Sequence, residues 1–323
     1  MPFNQNLFTK VWRVKNACGL LVLAFAFALT GCGKSKNDGF AEDSAHRCNG
    51  RVKSEMVWIP GGTYPMGESP NYPEEGPPSK VTVAGFWMDA LEVTNAQFTD
   101  FVNATGYKTT AEQDPPKIDG APAEMLMPGS AVFTVPTRDR PQWWRWVVGA
   151  QWRHPSGPAD TVKSKGREPV VQIAYPDAVA YARWAGKELP TEEQWEYAAR
   201  AGQDTVPEPV DEDGKPLANY YQGVFPAKDM GTDGFVSRAP VGCFPPNAFG
   251  LYDMIGNVWE WTTSMGGRPD AEEPVQIIKG GSYLCAANYC ARYRPAARQF
   301  QEQSLGTDHI GFRLVDSHKA APE

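Results

Sequence analysis

Histidine is scarce in this sequence. Its 323 residues hold four, His46, His154, His309 and His318, and no two stand at a metal-ligand spacing. A structural zinc needs four ligands, usually Cys or His, so this pattern argues against one. Basic clusters are also missing. The formal net charge is −7, and no stretch could neutralise many phosphates, so nucleic acid is not an expected partner. No apolar run reaches the roughly 20 residues of a membrane-crossing helix. No segment repeats with a period of about 20–50 residues, which sets aside solenoids and propellers.

What is present is a globular composition, 41% hydrophobic and 12% aromatic, behind an export signal. Lys10, Arg13 and Lys15 precede a short apolar stretch, Gly19 to Leu29. It ends in Leu29-Thr30-Gly31-Cys32, the order of a bacterial lipobox, which predicts cleavage before Cys32 and lipid on its sulfur. An ordinary secretory signal with a chance cysteine is the competing reading. Gly33 follows Cys32, which by the usual sorting rule points to the outer membrane. The expected product is exported and lipid-anchored at the cell envelope. Residues 1–31 form the signal peptide, 32–53 a flexible tether, 54–316 one domain and 317–323 a tail.

Six cysteines are reduced to four by this processing: Cys48, Cys243, Cys285 and Cys290. Outside the inner membrane a disulfide is allowed. The partner of Cys48, if any, is not deducible from spacing.

Three helices have local start and stop signals. Thr94-Asn95-Ala96-Gln97 is a capping box, with Phe98, Phe101 and Val102 behind it and Gly106 as the stop. Pro176 opens a second helix in which Val179, Ala180 and Trp184 share a face, ended by Gly186. Thr191 to Gln194 is another capping box, followed by Trp195, Tyr197, Ala198 and Ala199 and ended by Gly202. Strands are expected at Val57–Ile59, Val81–Met88, Gln276–Lys279 and Gly311–Val315. Residues 108–145 and 203–216 read as long surface loops. Short elements among glycine- and aromatic-rich loops predict an irregular, loop-rich α+β domain.

The chemistry centres on "GGSYLCAANYC", residues 280–290. Residues five apart lie about 500° apart around a helix, so Cys285 and Cys290 meet only if the chain bends between them. A disulfide is the plain reading. Two thiolates also suit a soft ion such as Cu(I) and leave room for a third ligand. No histidine completes a zinc site, and a lone His309 near a core strand is more often structural.

The segment "GGSYLCAANYCARYRPAAR" resembles the C-terminal signature of formylglycine-generating enzymes, the sulfatase-modifying-factor family. So, in order, do "MVWIPGGTYPMG", "LEVTNAQFTDFVNATGY", "ELPTEEQWEYAARAG", "PPNAFGLYDMIGNVWEW" and "HIGFRLV". The scaffold also occurs in proteins that lack the cysteine pair and do other work, so GGS-x-x-C-x4-C is the discriminating part. The resemblance implies a loop-rich fold related to C-type lectins. It implies oxidation of a cysteine in an unfolded or nascent sulfatase, within Cys-x-Pro-x-Arg, to Cα-formylglycine. The implied cofactor is Cu(I) on Cys285 and Cys290, with O2 as oxidant and an external thiol or other reductant as electron donor.

By the same resemblance, Ser282 stands beside the oxygen site, and Tyr289 and Trp259 line it. A turn hydroxyl and core packing are their ordinary roles. Arg292, Arg294 and Arg298 read as salt-bridge partners without a catalytic part. Two structural calcium loops are implied. Asn219 and Asp233 side chains with Tyr220 and Phe235 carbonyls would form one. Asp253 and Glu260 carboxylates with Met254, Gly256 and Val258 carbonyls would form the other. Plain turns are the alternative for both. Departures from the family are Ala286 and Ala287 after the first cysteine, where a histidine is common. Ala182, Ala199, Pro295 and Leu314 replace stapling cysteines, which leaves Cys243 expected as a buried free thiol. The competing functions are a non-catalytic, lectin-like surface lipoprotein with a Cys285–Cys290 disulfide, and an iron-dependent sulfur-inserting enzyme. The latter's histidine triad and added helical domain are missing here.

Overall fold

The computed structural model describes Cys48 and residues 55–68, 70–117, 119–267 and 274–322. The expected signal peptide, Cys32 and most of the tether lie outside the described residues. Among the described residues no helix is long and apolar enough to cross a membrane.

Local signals form the helices. Helix α1, Asn95–Thr105, starts on the Thr94–Gln97 capping box and stops at left-handed Gly106 (φ 68°). Helix α2, Tyr175–Trp184, has Pro176 in its first turn and ends before Gly186 (φ 65°). Its buried stripe is Ala178, Tyr181 and Ala182, not the expected Val179, Ala180 and Trp184, and Trp184 is 45% exposed. Tyr181 stacks on Phe98 of α1 at 5.7 Å and 15°, and that contact turns this stripe inward. Helix α3, Glu192–Arg200, has the Thr191–Gln194 box. Ala201 (φ 47°) takes the left-handed cap one residue before the expected Gly202.

The main sheet has four strands in the order Arg298–Glu302, Val275–Lys279, Trp259–Met265 and Ile310–Gly311, the last pair parallel. A second sheet joins Met56–Ile59, Phe86–Asp89 and Val315–Asp316. The expected single strand Val81–Met88 is two strands, broken at Ala84-Gly85. Ser79–Val83 pairs with Gly62–Met66, while Phe86–Asp89 pairs with Met56–Ile59. Gly85 packs against Trp58, where a Cβ would come within 2.5 Å of the ring, so the chain crosses over there. The expected strand Gly311–Val315 is likewise divided between both sheets.

Residues 108–145, expected as loop, contain a strand, Gly129–Phe133, paired with Trp144–Val148. Ser130 Oγ donates to Gly306 O at 2.7 Å, so this hairpin is fastened by a segment distant in sequence. Residues 203–216 are irregular, as expected.

Two apolar cores flank the main sheet. One holds Phe98, Trp152, Trp259, Trp261 and Cys285, the other Phe86, Met88, Trp195 and Leu251. Between them, fully buried Lys279 meets Glu196 at 3.0 Å and Glu192 at 3.4 Å, tying α3 to the strand that leads into the cysteine loop. Removing one partner of such a buried pair costs about 3–5 kcal/mol.

Cys243 is not a free thiol. It is disulfide-bonded to Cys48, within a satellite cluster with Ala239 and Phe244. The bond pins a residue of the expected tether onto the domain, with Arg167 Nη1 donating to Cys48 O at 2.5 Å.

Candidate active site

The cysteine loop leaves the buried Val275–Lys279 strand through two left-handed glycines, Gly280 (φ 95°) and Gly281 (φ 72°). A Cβ on Gly281 would sit 2.7 Å from Tyr293 Cα, so glycine lets the outgoing and returning segments touch. Cys285 N donates to Ser282 O at 2.9 Å, and Cys290 N to Ala286 O at 2.8 Å. A single helical turn from Ala286 thus separates the cysteines and supplies the bend that their spacing demanded. Their sulfurs lie 3.9 Å apart, unbonded.

The two thiols differ in environment. Cys285 is 3% exposed and Cys290 half-buried. The contact between them pushes the Cys285 thiol up, with burial acting in the same sense. Accepting that hydrogen bond lowers Cys290 to about 6, and Arg292 adds to the effect. Arg292 Nη1 lies 3.7 Å from Cys290 Sγ. Close, unbonded soft donors with one thiolate favoured fit a soft monovalent ion.

The other expected site residues separate. Trp259 is 1% exposed and packs in the same core as Cys285. Ser282 Oγ accepts from Leu284 N at 3.2 Å, the bond of a turn hydroxyl. Tyr289 faces outward, 57% exposed. Its ring stacks on Phe225 at 5.0 Å and 19° and meets Trp143 at 5.0 Å. These rings form an aromatic ledge beside the thiols.

Arg294 pairs with Glu75 and Arg298 with Glu192, as expected of salt-bridge partners. Arg292 pairs with Glu74 but also touches a cysteine sulfur, so its part in the site exceeds the expectation. Sequence reasoning missed that Arg292 touches the Cys290 sulfur, that Glu74 and Tyr72 hold Arg292, and that Phe225 and Trp143 pack on Tyr289. The sole local hint was the position of Arg292 two residues after Cys290.

In the first expected calcium loop, two of the proposed oxygens converge. Gln222 Nε2 donates to both Tyr220 O and Asp233 Oδ2. Asp233 is raised to about 6, mainly by burial. Asn219 Nδ2 donates to Ser237 O and Asn257 Oδ1 at 2.9 and 3.0 Å. Phe235 contributes its N–H to Asp233 Oδ1 at 2.8 Å.

The second loop turns through left-handed Asp253, Gly256 and Asn257. Asp253 Oδ2 accepts from Gly242 N at 2.7 Å, and burial raises its carboxyl to about 6. Met254 and Val258 are buried beside it. Glu260, expected as a calcium ligand, meets Arg313 with both its oxygens at 2.7 Å, and Trp195 Nε1 also donates to it. The buried carboxylate that faces the loop is Glu92, which accepts from Asn257 Nδ2 at 2.6 Å and Val258 N at 3.3 Å.

Known proteins resemble this chain over most of its length. A formylglycine-generating enzyme of Mycobacterium tuberculosis is 50% identical, covering 81% of this chain and 97% of its own. A mouse relative described as an inactive Cα-formylglycine-generating enzyme 2 is 37% identical, over 81% of this chain and 85% of its own. The structure of PvdO from Pseudomonas aeruginosa superposes with a TM-score of 0.58 at 27% identity, covering 81% of this chain and 94% of that one. The sulfatase-modifying factor enzyme 1-like domain matches residues 41–318, and the chain belongs to that family.

Proposed function

We propose that this protein oxidises a cysteine of an unfolded sulfatase, within Cys-x-Pro-x-Arg, to Cα-formylglycine. The observation that carries this is the unbonded Cys285–Cys290 pair, held by one turn in the GGS-x-x-C-x4-C loop. Cys285 and Cys290 would hold Cu(I), which when bound supplies a soft acceptor for the substrate thiolate and an electron source for O2. The net reaction balances as one O2 and two external thiols consumed per substrate thiol. It yields aldehyde, hydrogen sulfide, water and one disulfide.

The chain's own groups prepare this. Arg292 and the Cys285 thiol favour the thiolate of Cys290. Trp259 belongs to the same buried core as Cys285, which keeps that side dry. The Tyr289–Phe225–Trp143 ledge offers an apolar rest for an extended peptide beside the thiols. Structural Ca²⁺ would sit on Asn219, Tyr220, Asp233 and Phe235, and on the turn from Asp253 to Val258 with Glu260, which also pairs with Arg313. The lipobox ending at Cys32 supports a lipid-anchored enzyme that meets its client during export.

A catalytically silent scaffold is favoured by the likeness to the inactive mouse relative and opposed by the free thiol pair. Mass spectrometry of a Cys-x-Pro-x-Arg peptide with protein, Cu(I), O2 and a thiol separates the two. Conversion removes one sulfur and two hydrogens and adds one oxygen. Cys285→Ser and Cys290→Ser should each abolish it, and undiminished turnover in either variant rules the two-thiolate clamp out.

A further inference from the structure

The turn Asn71-Tyr72-Pro73-Glu74-Glu75 is joined to the residues that follow Cys290, more than 200 positions away. Glu74 Oε1 accepts from Arg292 Nε at 3.1 Å and from its Nη2. The Arg292 guanidinium lies 4.0 Å from the centre of the Tyr72 ring. Tyr72 Oη in turn accepts from Ala291 N at 3.1 Å. Glu75, 1% exposed, accepts from Asn71 N at 2.7 Å and from Arg294 Nη2 at 2.5 Å. Pro73 opens the 3₁₀ turn that projects both carboxylates.

This arrangement leaves one face of the guanidinium on an aromatic ring and two nitrogens on a carboxylate. The third nitrogen, Nη1, is aimed at Cys290 Sγ at 3.7 Å. A salt bridge needing only Glu74 would not require that orientation. Two thiolates around one monovalent cation carry a net charge of −1, and a half-buried charge is costly unless a partner offsets it.

We propose that Arg292, steered by Glu74 and Tyr72, is the positioning residue of Cys290 and the counter-charge of the anionic two-thiolate copper centre. This rests on the copper-dependent reading above. Glu74 sets the side chain's reach, Tyr72 sets its plane, and the Ala291–Tyr72 bond holds the backbone between Cys290 and Arg292 in register. The turn at 71–75 thereby belongs to the metal site without supplying a ligand to it.

Anaerobic competition of the full chain against a chromogenic Cu(I) chelator tests the proposal. Arg292→Met should weaken Cu(I) uptake about tenfold or more, the scale of a charge-assisted hydrogen bond. Arg292→Lys should recover part of that loss, and Glu74→Gln should show a smaller loss. Thermal melts establish that each variant is folded, and if Arg292→Met does not fold, Glu74→Gln decides. Wild-type affinity in Arg292→Met, or in Glu74→Gln where that variant decides, overturns the proposal. So does an equal loss in Arg292→Met and Arg292→Lys. A wild-type chain that takes up no Cu(I) would instead remove the copper-dependent function itself.

Discussion

The backbone N–H of Tyr221 donates to the carbonyl of Cys285 across 3.0 Å, joining the Asn219 loop to the cysteine turn. On the other side Gly256 N donates to Gly280 O at 2.9 Å, and Tyr283 N to Asn257 O at 3.0 Å. Both expected calcium loops therefore border the cysteine loop through main-chain bonds.

Divalent-ion removal should then be felt at the thiols. Chelation is expected to lower the melting temperature and speed alkylation of Cys290, and Asp233→Asn should weaken the response to added Ca²⁺. The Ca²⁺ effect should fade as pH falls through about 6, where Asp233 and Asp253 gain their protons. Melting curves that ignore Ca²⁺ at every pH would dispose of the calcium loops.

Tyr289 presents its ring on the ledge, 57% exposed. Stacked on Phe225 and half-exposed, it should tolerate Tyr289→Phe with kcat/KM nearly unchanged. Tyr289→Ala should raise KM for the peptide by up to about tenfold, the worth of an aromatic pair. A large fall in kcat for Tyr289→Phe would instead assign the hydroxyl to the reaction.

The Cys48–Cys243 bond closes a separation of 195 residues. Cys243→Ser or Cys48→Ser should lower unfolding stability by about 2–5 kcal/mol in urea titration. Cu(I) uptake should be unchanged, because neither residue touches the thiol pair. Loss of uptake along with stability would show that the clasp reaches the site.

His309 governs part of the acid sensitivity. It is buried, with Thr307 Oγ1 2.6 Å from its Nδ1, and burial lowers it from 6.5 to about 3. Between those values the unfolded chain binds a proton that the folded one refuses. The His309 contribution is therefore whole above pH 6.5 and is lost as pH falls toward 3. Asp308, raised by burial from 3.8 to about 6, acts oppositely between those values, since there the folded chain holds the proton. Comparing His309→Gln with wild type cancels the Asp308 share. The variant's stability should decline less steeply from pH 6.5 to 3, and parallel declines would refute the assignment.

What could be read from the sequence was local. The Thr94–Gln97 and Thr191–Gln194 boxes each close within three residues, and both helices begin there. The break at Gly85 was not readable, because its cause is Trp58 on another strand. Neither was the buried stripe of α2, which Phe98 selects. The disulfide escaped for the same reason: cysteine count and compartment allow a bond, but only the fold brings Cys48 to Cys243.

The sequence by itself determined the thiol pair, the bend it requires and the glycines that permit that bend. Backbone conformation and hydrogen bonds a few residues long suffice for those. Tertiary structure alone decided that Arg292 reaches Cys290 from Glu74, that Arg313 pairs with Glu260, and that Tyr289 joins a ledge with Phe225 and Trp143. Each of those contacts draws on a segment far along the chain, and its geometry exists only once packing has closed the loops between.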